Sequence, residues 1–227
     1  MNKLPFNSIF SMIALCAIIL FSSCEKDKVK IVDNTASAYT LEGTYSESKV
    51  LTADQVWMLK GRVIFKSGTK LTIEPGTIIK AEGGTGANAS VIIIARGATI
   101  SAEGTATQPI IFTSVADDII KGQIAGTNLN PETIKGLWGG LIVLGDAPIS
   151  PKSGTTWQIE GVPGDVIEGN YGGDNVADNS GVIKYVSVRF GGALIGEGNE
   201  INGITLGGVG NVTVIENVEV VGNIDDG

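Results

Sequence analysis

Short runs of β-branched and aliphatic residues, separated by glycine, recur along most of the chain, and some of them repeat. Residues 71–83, LTIEPGTIIKAEG, and residues 92–104, IIIARGATISAEG, align without a gap at an offset of 21. Ile73 falls on Ile94, Gly76 on Gly97 and Ile79 on Ile100, and both segments close on Ala-Glu-Gly. Leu71 and Ile73 alternate with polar neighbours, which puts two apolar side chains on one face of a strand. Pro75-Gly76 is a turn pair: proline presets φ and glycine accepts the positive φ that follows. The wholly apolar run 91–94 predicts a strand covered on both faces, or one at the end of a stack. Short strands and tight turns at this period predict an all-β fold, a coiled β-solenoid.

The solenoid is expected over 46–227. Apolar runs at 56–59 and 63–65 open it, and 110–113 adds a strand. Two stretches break the rhythm, near 115–136 and 150–181, and read as loops thrown out from a rung. A second match then appears: IKYVSV at 183–188 lies over IENVEV at 215–220, at an offset of 32. Asn199, Asn202, Asn211, Asn217 and Asn223 mostly flank strands, where asparagine accepts left-handed turns or stacks along a corner. No segment after Val221 resembles a cap over an open rung, so the natural protein is expected to continue past Gly227.

The N-terminus follows a different pattern. Lys3 precedes an apolar run at 9–21, too short to cross a bilayer as a helix, and 1–23 reads as an export signal. It ends Leu20-Phe21-Ser22-Ser23-Cys24, which resembles the lipobox of bacterial lipoproteins, with Phe21 where leucine is usual. That resemblance implies lipid modification of Cys24, a membrane anchor at that residue, and loss of Cys16 with the signal. A polar tether over 24–45 follows. It opens on the charged cluster Glu25-Lys26-Asp27-Lys28.

Composition narrows the chemistry. The 32 glycines suit many tight turns, and a net charge of −8 argues against a nucleic-acid partner. There is no histidine, which removes Ser-His-Asp and Cys-His triads and nearly all catalytic zinc sites. Chemistry here has to run on carboxylates, Lys, Arg, Tyr or bound calcium.

In order along the chain, LTIEPGTIIKAEGG, GATISAEGTATQPIIFTS, LWGGLIVLGDAPI, NSGVIKYVSVRFGG and NEINGITLGGVGNVTVIENVEVVGNIDDG together resemble a group of Bacteroidota cell-envelope lipoproteins. The resemblance implies a right-handed parallel β-helix of pectate-lyase-like architecture in an outer-membrane lipoprotein displayed at the cell surface. The group has no defined activity, so it implies no mechanism. Some of its relatives carry a transporter label, but this sequence has no spanning segment after the signal to support one.

Several residues could carry function. Asp225-Asp226 resembles the acidic pair of β-helix polygalacturonases, where two carboxyl groups flank a glycosidic bond. The Gly-His-Gly and Arg-Ile-Lys motifs of those enzymes are absent here, and a turn explains Asp-Asp-Gly as well. Asp165, Asp174, Asp178 and Asn179 could offer oxygens to calcium, although their spacing is not that of an EF-hand. A pectate-lyase-type arginine base has one candidate in the C-terminal half, Arg189, whose alternation with Val188 points it to solvent. Trp138 reads as core. Trp157 and Tyr171, in the longer excursion, are the residues to expect at a sugar-stacking platform. The reading that best unites these features is a surface-anchored β-helix for binding or display, towards a glycan or another envelope protein. A polysaccharide lyase or hydrolase around Asp225 and Asp226, and a structural adhesin or stalk, are the alternatives.

Overall fold

The computed structural model describes residues 39–196, 199–224 and 226–227. The signal, Cys24 and most of the tether lie outside them, as does Asp225. The described chain coils through three faces, here called A, B and C. In the first coil β1 (Thr40–Tyr45) supplies faces A and B, and β2 (Lys49–Leu51) face C. The second repeats this with β3 (Val56–Phe65), bent at Gly61, and β4 (Lys70–Ile73). The third uses one strand per face: β5 (Ile78–Ala81), β6 (Val91–Ile94) and β7 (Thr99–Glu103). The fourth begins with β8 (Ile110–Ser114) and β9 (Leu141–Leu144), then detours through the two-residue strands β10 (Trp157–Gln158) and β11 (Asn170–Tyr171). Next, β12 (Gly181–Arg189) closes face C of that coil, turns at Tyr185 and becomes face A of the fifth. A short pair, β13 (Leu194–Gly196) and β14 (Asn199–Glu200), precedes β15 (Ile204–Gly207) on face B. Finally β16 (Val214–Val221) runs from face C to face A, turning at Asn217.

Every pairing between coils is parallel, and the strands that bend around corners link all three faces into one 12-stranded sheet. This is a parallel β-helix, with the right hand that parallel crossovers adopt. Its core is a set of in-register ladders with rungs about 4.8 Å apart. Leu51, Ile73, Ala102, Ile183 and Ile215 stack on face C, and Trp57, Ile79, Phe112, Val188 and Val220 on face A. Phe65, Ile94 and Val143 face them from B, and these side chains share one hydrophobic cluster. Trp138 is fully buried among them, its ring 6.4 Å from Phe112 and its indole N–H donating to the Arg189 carbonyl at 2.8 Å.

The two sequence repeats mean different things. The 32-residue match is the stack itself: Ile183 pairs with Ile215, Val186 with Val218 and Val188 with Val220. The 21-residue match is a corner repeat. Leu71 stacks on Ile100, not Ile92, and Ile92 stacks on Val63. What 71–83 and 92–104 share is a strand, a glycine turn and a strand, carried around two different corners. The coil also starts before the expected 46, because β1 occupies Thr40–Tyr45 and Leu41 is fully buried. Of the five asparagines, Asn217 takes a left-handed φ (54°), directly beneath Tyr185 (48°) at the same corner.

The excursions are not thrown outward. Residues 115–140 fold back over face A, where Ile119 packs on the outward side chains of Ile78 and Ile111. Asp117 fixes this return: its carboxylate accepts from Thr113 Oγ1 at 2.7 Å and from the Ile119 N–H, while its carbonyl accepts from Lys80 Nζ at 2.6 Å. Residues 145–180 fold over face B, where Ile159 and Val162 close on Ile64, Ile93, Ile142 and Leu144. On face C the outward ladder Val50, Thr72, Ser101, Val182 and Val214 stays open or half open to solvent. Arg189 corrects the expectation from alternation. Its side chain does point outward, but onto covered face A, so it is buried, donating to Ser187 Oγ at 2.8 Å and to the Ile124 carbonyl at 3.2 Å.

Candidate functional site

The longer excursion carries a small platform. In it β10 and β11 pair antiparallel, with Trp157 opposite Tyr171 and Gln158 opposite Asn170. Two-residue strands are marginal alone, and three supports hold these in place. The Gln158 side-chain amide reaches the carbonyls of Val162, Pro163 and Val166 at 3.1–3.3 Å, which closes the loop between the strands. Arg96 Nη1 donates to the Gly172 carbonyl at 2.7 Å, and Lys66 meets Glu168 at 3.2 Å, so two coil corners grip the ribbon. The third support is close packing against β15. A Cβ on Gly207 would lie 2.9 Å from Tyr171 Cγ, so only glycine at 207 lets the ring settle there.

Beside the platform lies a cleft of about 590 Å³. Trp157, Gln158, Ile159 and Glu160 form one wall with Tyr171, and Ile201, Asn202, Thr205 and Asp226 form the other. Trp157 is 46% exposed, Glu160 and Asp226 are also exposed, and Tyr171 is half buried. Across the ribbon is a second hollow of about 400 Å³, lined by Ile149, Ser150, Pro151 and Lys152 together with the same Trp157 and Tyr171. The two aromatics therefore form a ridge between two hollows. An exposed flat ring beside hydroxyl, amide and carboxylate groups is chemistry suited to a sugar: the apolar face of a pyranose stacks, and its hydroxyls find acceptors.

Residues 43–227 match the pectate-lyase-like β-helix domain family. The chain belongs to that family. No curated protein and no solved structure matches it. The family assignment agrees with the stacked parallel coils and identifies the pectate-lyase-like β-helix as the scaffold on which the platform sits.

On this β-helix the remaining candidates scatter or find structural work. Asp178 is buried at the foot of the longer excursion. It accepts from the Asp146 N–H at 3.0 Å, from Ser180 Oγ at 2.8 Å and from the Gly210 N–H at 3.1 Å. Those donors occupy both carboxylate oxygens, so the group fastens the excursion to the next coil. Asp174 is exposed, and no group of three metal-ligating acidic or thiol side chains occurs among the described residues. Arg189 is held by Ser187 and by Glu219 at 3.7 Å, a buried cation with no open face towards a substrate. Of the proposed acidic pair, Asp226 lines the cleft, while Asp225 lies outside the described residues. Sequence reasoning named Trp157 and Tyr171 together as candidates for a sugar-stacking platform, and the fold pairs them across one ribbon. It passed over Glu160 and Thr205, and it read Asn202 as a turn residue. Nothing in the local sequence marks these three, because the cleft forms between segments about 40 residues apart.

Proposed function

We propose that this β-helix is a lipid-anchored outer-membrane lipoprotein, displayed at the cell surface, whose rigid coils present a glycan-binding platform. The observation that carries the reading is the cross-strand pairing of Trp157 with Tyr171 over the 590 Å³ cleft. Trp157 keeps 46% of its surface exposed on a ribbon that Gln158, Arg96 and Lys66 hold in place, which leaves a ring available for stacking. The lipobox-like stretch ending at Cys24 supports the anchor. Among the described residues no helix is long and apolar enough to cross a membrane.

The test of binding is calorimetric titration of an oligosaccharide panel into the full chain and into Trp157→Ala. Loss of at least ten-fold in affinity on substitution, with urea stability unchanged, is the expected result. Saturable binding that Trp157→Ala leaves intact would remove the platform from the reading. The anchor is tested by mass spectrometry of membrane-extracted protein: acylation on Cys24 is expected, and Cys24→Ser should release the protein from the membrane fraction.

A hydrolase is the second reading, favoured by one observation, that Asp226 and Glu160 both line the cleft. Inverting glycosidases use two such carboxyl groups with room for water between them. Its test is reducing-end release from polysaccharide by the wild type and by Asp226→Asn. Cleavage by the first and not the second is required.

A further inference from the structure

Among the described residues, the cleft is lined by two carboxylates, Glu160 and Asp226, and by no lysine or arginine. Two cations that tie down the excursion are already paired: Lys66 with Glu168 at 3.2 Å, and Arg96 with Asp146 at 3.7 Å and the Gly172 carbonyl. Lys152 lines the hollow on the other side of the ribbon. The amide and aliphatic hydroxyl side chains that also line the cleft, Gln158, Asn202 and Thr205, are neutral. We propose, resting on the glycan-binding reading above, that this cleft selects amine-bearing sugars and rejects uronates.

The physical reason is the local charge. A uronate carboxylate entering the cleft meets two like charges in a protein whose net charge is already −8, with no cation to offset them. An ammonium group on a sugar ring meets the opposite field. When the ring stacks on Trp157 or Tyr171, that group also lies near an aromatic face, which attracts cations. Neutral sugars gain the stacking and the hydroxyl contacts but not the charge term. The side chains that set the preference are exposed, so substituting them leaves the fold in place.

The experiment uses the full chain and three trisaccharides: glucosamine, its N-acetylated counterpart and galacturonate. The first two share a ring skeleton and differ in whether the C2 nitrogen is charged. Glucosamine trisaccharide is expected to bind at least ten-fold more tightly than either of the others. That preference should shrink as salt rises, because it is electrostatic. It should disappear in the double variant Glu160→Gln, Asp226→Asn, while near-UV circular dichroism stays unchanged. Equal affinity for the glucosamine and N-acetylated forms, or a preference for galacturonate, would overturn the inference and leave the platform standing as a glycan site. Retention of the preference in the double variant would also overturn it. Binding of none of the three, or binding indifferent to Trp157→Ala, would instead remove the glycan reading beneath it.

Discussion

Faces B and C of the same coils are both built from short strands stacked in parallel register, yet they read differently. On face B the outward positions are Ile64, Ile93 and Ile142. On face C the outward ladder mixes Thr72 and Ser101 with Val50, Val182 and Val214, and Lys70 and Glu103 stand near its edges. What separates them is the cover. The 145–180 excursion lays Ile159 and Val162 over face B, so both sides of β6 and β9 are dry. Face C keeps its outward ladder in contact with water. In this fold a strand apolar at every position marks a face that another segment covers, whereas alternation does not by itself mark a bare one: Ser187 and Arg189 alternate with Val186 and Val188 and are buried on covered face A. The wholly apolar IIF of β8 obeys the same rule beneath Ile119.

The comparison can be broken most severely by placing one charge on each face. Ile142→Lys puts an ammonium group between face B and its cover, where no described partner waits. It should cost upwards of about 3 kcal/mol and detach the excursion. Ser101→Lys, at an outward position of face C and close to Glu103, should stay within about 0.5 kcal/mol of the parent. Urea unfolding of the two variants checks both. Equal destabilisation would mean that the cover over face B is not formed in solution.

Much of this was legible beforehand, and the limits have physical causes. The 32-residue repeat gave the true stacking register because one uninterrupted strand, β12, and its successor β16 span the same corner in consecutive coils. The 21-residue repeat misled because corners look alike wherever a glycine turn joins two strands. Only pairing across coils tells one face from the next. Alternation placed Arg189 outward correctly and in solvent wrongly, since the Ile124 carbonyl that buries it arrives from a loop without periodicity. The pairing of Trp157 with Tyr171 had no sequence signal at all. Two-residue strands carry no alternation, and the hydrogen bonds of Gln158 that close the loop are invisible in a string of letters.

A smaller effect sharpens how the cover on face B is fastened. Asp178→Ala removes the acceptor shared by the Asp146 N–H, the Gly210 N–H and Ser180 Oγ. Leaving these donors without their partner should cost ~1–3 kcal/mol. Because Asp178 joins the end of the excursion to the following coil, the loss should also speed limited proteolysis within 145–180. Asp178→Asn keeps an acceptor oxygen and should recover part of the stability. Proteolysis confined to 115–140 in Asp178→Ala would mean that the carboxylate does not hold this excursion.

The smallest effect separates ion pairs that decorate from those that fasten. Lys184 and Glu216 meet at 3.1 Å on bare face C, with side chains 34% and 55% exposed. Lys66 and Glu168 meet at 3.2 Å, but Glu168 belongs to the excursion and is 18% exposed. Exposed pairs of this kind contribute about 0–1 kcal/mol, so neither Lys184→Gln nor Lys66→Gln should move the urea midpoint far. Local opening is where they should part. Lys184 lies within β12, paired on both sides by β7 and β16, so its loss leaves the backbone ladder intact. Lys66 holds down the segment between β10 and β11 through Glu168, alongside the apolar contacts of Ile159 and Val162 with face B. Amide hydrogen exchange at 159–171 should therefore quicken in Lys66→Gln and stay at the parent rate in Lys184→Gln. Matching exchange in the two would assign the fastening to Arg96 and to apolar contact alone, and leave the salt bridge on face B as incidental as the one on face C.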